Sequence, residues 1–185
     1  MNSTICECEH DFALVLTGVS ELTQAMEDAL FTAGCDDATI SVRSGRIWIT
    51  FSCKSDSLKE AILSAIDSVR NAKIGAEVLR VDHCNLVTQS DIARKIERSR
   101  QLVHQFISGT RGPGGFPPPA CHITDGAPLW YWCEVANWLW QNDMIKERVL
   151  RDAQEVDAIN CVLEMQHQQR IGSALIDEVA SRVAV

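Results

Sequence analysis

Residues 86–107, Leu-Val-Thr-Gln-Ser-Asp-Ile-Ala-Arg-Lys-Ile-Glu-Arg-Ser-Arg-Gln-Leu-Val-His-Gln-Phe-Ile, decide how this chain is read. Their spacing predicts two short helices that meet across a tight turn. Ile92, Ile96, Leu102, Val103, Phe106 and Ile107 recur at intervals that turn them inward from both helices. Small Ala93 lets the second helix approach closely, and Ser99 stands where a helix N-cap belongs. The outer face of the second helix then carries Arg100, Gln101, His104 and Gln105.

Such a pair, apolar inside and rich in amides and guanidinium outside, is how a helix-turn-helix offers its second helix to the major groove. Gln89, Ala93, Ser99, Val103 and Phe106 resemble the first-helix polar residue, small contact residue, cap and core residues of bacterial helix-turn-helix regulators. The sequel from Gly109 to Trp140 is similar to the winged subtype of MerR-like and excisionase-like proteins. In those proteins a Gly/Pro-rich loop leads to an aromatic strand and then a helix like Cys133-Glu-Val-Ala-Asn-Trp-Leu139. The resemblance covers about a third of the chain. It implies binding to double-stranded DNA, with Arg100, Gln101, His104 and Gln105 meeting bases. Arg pairs bidentately with guanine and Gln with adenine. Thr88, Gln89 and Ser99 would sit at helix N-termini, which hold phosphate, and Arg94, Lys95 and Arg98 would add phosphate contacts. Two positions depart from the pattern: Glu97 replaces the usual Gly and Arg98 the usual aliphatic residue. Glu97 then needs a backbone conformation unusual for a residue with a side chain, and a wider turn is expected. Arg98 can lay its stem on the core and extend its charge toward phosphate.

Charge is unevenly spread. The chain of 185 residues carries a formal −8. Residues 1–82 hold seven Lys/Arg against thirteen Asp/Glu, and residues 143–185 five against eight, whereas 83–142 hold five against four. Positive charge is therefore concentrated on the proposed reading module, and the local field governs DNA affinity. Acidic flanks would hold non-specific binding down and make it salt-dependent.

The first part alternates elements in a definite order. Residues 12–17 form an apolar run suited to a strand, and Ser20 is placed to open a helix that Gly34 closes. Thr39–Val42 and Arg46–Phe51 flank Ser44-Gly45, a hairpin signal. Ser57 begins a second helix with Leu58, Ile62, Ala65, Ile66 and Val69 at helical spacing, and Ala76–Val81 supplies a last strand. Strand, helix, strand, strand, helix, strand is the ferredoxin-like split βαβ order. The expected class is α+β: a flexible N-terminus at 1–10, a ferredoxin-like βαββαβ domain at 11–83, a winged helix-turn-helix at 84–142 and C-terminal oligomerisation helices at 143–185. A break is expected around Gln166–Ser173, where Gly172 weakens helical continuity.

The glycine-rich loop Gly109–Pro119 sits where a wing is expected, and its Arg111 can enter a minor groove or grip phosphate. Trp130, Trp132, Trp138, Trp140 and Phe116 suit a packed core better than a base-stacking platform. Cys6, Cys8 and His10 resemble half a zinc site, but no second pair completes it, so neither metal nor cofactor is expected. No nucleophile elbow, His-Glu-x-x-His or dinucleotide fingerprint occurs, and enzymatic activity is not expected. No apolar run reaches membrane-spanning length, the start lacks a basic-then-apolar leader, and the scattered cysteines fit a reducing cytoplasm. A cytoplasmic, sequence-specific DNA-binding transcription regulator, dimeric on an inverted repeat, is the leading expectation. The rival is an antitoxin-like or adaptor module that grips a protein partner through its acidic first domain or its C-terminal helices.

Overall fold

The computed structural model describes residues 8–124 and 126–183. The chain is mixed α+β and divides into two compact units. One comprises the described parts of Met1–His83 and Ala158–Val185, the other Cys84–Asp157.

In the first unit the elements run β1 (Cys8–Thr17), α1 (Gln24–Thr32), β2 (Thr39–Arg43), β3 (Arg46–Ser55), α2 (Leu58–Asn71) and β4 (Glu77–Val81). They build a four-stranded antiparallel sheet in the order β2-β3-β1-β4. Its core joins Leu14, Leu16, Ile47 and Ile49 of the sheet to Leu30 of α1 and Ile62, Ile66 and Val69 of α2, all buried. Ser57 caps α2 by accepting from Glu60 N–H at 3.2 Å. The Ser44-Gly45 turn has positive φ at both residues, +50° and +73°, the signature of a type I′ hairpin. Two boundaries differ from expectation. α1 opens after Thr23, whose hydroxyl accepts from Met26 N–H, three residues beyond Ser20. β1 begins at Cys8, so Cys8, Glu9 and His10 pair with Ser55, Lys54 and Cys53 and do not belong to a flexible tail. His10 is buried while Glu9 and Asp11 face solvent, the alternation of a strand. The rest of the expected tail, including Cys6, lies outside the described residues. No group of three metal-ligating side chains occurs among the described residues.

The second unit contains β5 (Leu86–Val87), α3 (Gln89–Lys95), α4 (Arg100–Ile107), β6 (Trp130–Tyr131) and α5 (Trp132–Gln141). β5 pairs antiparallel with β6, and a further bridge joins Cys121 to Leu129. The strand pairing therefore lies at 121–131, and Gly109–Pro119, where the wing was expected, contains no strand. α5 has no side-chain cap of its own. Asn85 serves instead: its backbone oxygen accepts from Trp132 N–H and its side-chain oxygen from Cys133 N–H at 3.1 Å. α6 (Glu147–Val183) loses helical geometry at Gly172, the expected break. Within the C-terminal stretch 143–185, where oligomerisation helices were expected, α6 contributes Leu150 and Ala153 to the core of the second unit, and its residues from Ala158 onward belong to the first. No described helix is long and apolar enough to cross a membrane.

Candidate nucleic-acid interface

α3 starts on a capping box. Thr88 Oγ1 accepts from Asp91 N–H at 3.2 Å, while Thr88 N–H and the Thr88 hydroxyl donate to Asp91 Oδ2 at 3.0 and 2.6 Å. Arg94 adds an ion pair to Asp91 at 3.0 Å. The Thr88 hydroxyl, followed by its N–H and then Arg94, holds the Asp91 carboxyl below the usual carboxylate range. A lowered folded-state pKa contributes stability that is present above the ordinary carboxylate pKa and is lost as pH falls through the folded value. Acidification should therefore loosen α3, and Asp91→Asn should show less of this acid sensitivity in melts followed by circular dichroism. Identical acid dependence in both proteins would refute the assignment. Thr88→Ala should cost about 1 kcal/mol at neutral pH.

The turn into α4 is closed, not wide. Glu97 takes φ +53°, Arg98 N–H reaches back to Ala93 O at 2.9 Å, and Glu97 N–H to Arg94 O at 3.2 Å. These are the two bonds of a Schellman motif with Glu97 in its left-handed position. The departure from Gly is thus accommodated by strain at one residue. Glu97→Gly should raise stability by about 1 kcal/mol, measured by urea unfolding; a loss of stability would show that the Glu97 side chain has a favourable role.

α4 begins at Ser99, whose hydroxyl accepts from Leu102 N–H at 3.2 Å. Val103 and Phe106 are buried and Leu102 and Ile107 half-buried, while Arg100, Gln101 and His104 are exposed and Gln105 is half-buried. Among the described residues the side chains of Arg100, Gln101 and His104 engage no protein partner, so their donors and acceptors are available to a ligand. Arg98 is likewise exposed beside the turn.

Other expected contacts are committed elsewhere. Gln89 Nε2 donates to Arg100 O at 2.9 Å, tying α3 to the first turn of α4. Lys95 is solvent-exposed by area, yet its ammonium lies 5.0 Å from the Trp132 ring centroid. Desolvation against that ring pulls the Lys95 pKa down, with Arg94 adding to the effect and Asp91 opposing it. Lys95, expected as a phosphate contact, lies over the Trp132 ring and covers it. Neither the Gln89 clamp nor the Lys95 cover leaves a local trace in sequence, because each partner is set by tertiary packing.

The glycine-rich loop is strapped down by aromatic side chains. Trp138 Nε1 donates to Gly114 O at 2.9 Å and Trp130 Nε1 to Pro117 O at 3.1 Å. Phe116 lies edge-on to both indoles, with centroids 5.0 Å from Trp138 and 6.4 Å from Trp130. At Gly112, with φ +90°, a Cβ would lie 2.9 Å from the Phe106 ring. Arg111 N–H bonds Gln105 O at 3.2 Å, so exposed Arg111 emerges beside the last turn of α4. Trp130, Trp132 and Trp138 are core residues, whereas Trp140 is 41% exposed.

The arrangement brings Arg98, Ser99, Arg100, Gln101, His104, Gln105 and Arg111 onto or beside one short helix. It places Thr88, Gln89, Arg94 and Lys95 in contacts that shape the α3–α4 pair. No family model matches the chain, and the comparisons with curated proteins and with solved structures also return no match.

Proposed function

We propose that the chain is a sequence-specific double-stranded DNA-binding transcription regulator that reads the major groove with α4 and acts in the cytoplasm as a dimer on an inverted repeat. In this reading the first unit is a ferredoxin-like domain, supported by its strand order β2-β3-β1-β4 with both helices in split βαβ sequence. The second unit is a winged helix-turn-helix in which α3 and α4 form the two-helix motif and the hairpin bridged at Cys121 and Leu129 forms the wing.

The observation that carries the reading is the division of α4. One side is fixed in the core by Val103 and Phe106, and the other presents Arg100, Gln101 and His104 exposed and without a partner among the described residues. A helix anchored on one side and polar on the other can hold its side chains in register with base edges. At 1.5 Å per residue α4 is only about 12 Å long, enough for a few base pairs, so two copies are needed for a site of useful specificity. Selection of duplexes from a random pool by the full chain should yield an inverted repeat, with affinity falling steeply as salt rises. Recovery of an unenriched pool would defeat the proposal.

A second reading, a protein-interaction module, is favoured by the apolar side chains that α6 leaves exposed, among them Met165, Ile171, Leu175 and Val179. Replacing Leu175 and Val179 by Glu should leave duplex binding unchanged if DNA reading is the primary task. Loss of a co-purifying partner with no duplex preference in either protein would favour the second reading.

A further inference from the structure

The two edges of the four-stranded sheet are treated differently. At β4, Asn160 Oδ1 accepts from Val81 N–H at 2.8 Å, and Asn160 Nδ2 donates to Val81 O at 3.2 Å and His83 O at 3.0 Å. A side chain thus occupies backbone groups that an incoming strand would need. At β2, among the described residues, no strand pairs with the outer side and no side chain caps it.

Ile40 and Val42 of β2 pair with Ile49 and Ile47, fully buried residues of the helix-covered face. Val42 nonetheless remains 47% exposed, and Phe31 at the end of α1 is 66% exposed. Phe31 and Ile40 line one shallow groove. The core is therefore open along this edge, where unpaired backbone and apolar side chains coincide.

The charges say what fits. Asp36 and Asp37 precede β2, while Arg43 and Arg46 lie at its far end, and all four are exposed. Arg43 and Arg46 are directly opposite each other across the hairpin, a like-charge pairing that is unfavourable alone. An antiparallel copy of β2 centred on Ser41 sets Ile40 against Val42 and Thr39 against Arg43. It also brings the arginine end of each copy to the aspartate end of the other, and the two-fold axis makes every contact twice. A one-residue slip would put apolar side chains on opposite faces.

We propose that β2 is a self-association edge: a second copy of this chain adds its own β2 antiparallel about Ser41, joining two four-stranded sheets into one. Main-chain hydrogen bonds supply the attachment, Phe31, Ile40 and Val42 close the apolar lip, and Arg43 and Arg46 against Asp36 and Asp37 fix direction and register. The inference is independent of DNA reading, since a chain with no affinity for DNA would pair in the same way.

Sedimentation equilibrium of the full chain tests it. The wild-type protein should be dimeric at tens of micromolar, and Val42→Lys should weaken association at least about tenfold, because an edge lysine opposes strand pairing. Arg46→Asp and Asp36→Arg, both at exposed sites, should each weaken it as well. The double exchange Asp36→Arg/Arg46→Asp should restore it, because each new arginine then meets a new aspartate across the two-fold axis. Far-UV circular dichroism establishes that each variant is folded. A monomeric wild-type chain would overturn the proposal, as would single exchanges as dimeric as wild type, or a double exchange no tighter than the singles. A monomer that binds an extended peptide along β2 would also overturn it, by showing a different occupant.

Discussion

Trp138→Ala should destabilise the second unit by about 3–5 kcal/mol, the range for deleting a large buried aromatic side chain. Trp138 is 7% exposed, its ring lies 5.4 Å from Phe106 and 5.0 Å from Phe116 by centroid, and its Nε1–H holds Gly114 O at 2.9 Å. Truncation empties that space and leaves a carbonyl without its donor. At roughly 4–8 °C per kcal/mol for a small unit, the melting transition of this unit should fall by well over 10 °C, read by calorimetry on the full chain. Trp138→Phe should keep most of the packing and lose the hydrogen bond, costing about 1–2 kcal/mol. The loop carrying Arg111 should loosen in both variants, since Trp138 is one of its two indole anchors. An alanine variant that melts within a degree or two of wild type would show that the aromatic cluster is not what holds the loop.

Arg100→Ala should lower affinity for the selected duplex by about ten- to a hundredfold, equivalent to about 1–3 kcal/mol, and affinity for a scrambled duplex far less. The side chain is exposed and engages no protein group among the described residues, so the melting temperature should not move. Arg98→Ala should weaken both duplexes alike and flatten the salt slope by about one unit, as loss of a phosphate contact does. Lys95→Ala is expected to behave differently from Arg98→Ala, with a stability loss, because the Lys95 ammonium covers Trp132. Anisotropy titrations at several salt concentrations separate the three. Equal loss on selected and scrambled duplex for Arg100→Ala would mean that this guanidinium meets only phosphate.

Local chemistry was legible in the sequence and distant partnership was not. Ser57 and Ser99 declare themselves as caps because an N-cap needs only a side-chain oxygen and the next turn of backbone. Glu97 in place of Gly pointed to a strained turn, and φ +53° is found there, yet the turn closes instead of widening because its two Schellman bonds are backbone bonds. Cys8, His10 and Phe12 alternate with the charged Glu9 and Asp11, so the early start of β1 was present as a pattern but obscured by the polarity of its first residues. The pairing of Leu86–Val87 with Trp130–Tyr131 joins segments far apart in the chain, and no periodicity encodes that choice. For the candidate site, the outward set on α4 follows from helical spacing alone. That Gln89 bonds Arg100 O, or that Asn85, just before β5, caps α5, depends on packing that residue types do not specify.

The guanine atoms an arginine would grip can be removed one at a time. In the selected duplex, 7-deazaguanine deletes the N7 acceptor without changing Watson–Crick pairing, and pairing this change with Arg100→Ala makes a double-mutant cycle. At the guanine facing α4, wild-type protein should lose about tenfold in affinity on the substituted duplex, and the Arg100→Ala protein should lose nothing further. Equal losses for both proteins at every guanine of the site would contradict major-groove reading by α4.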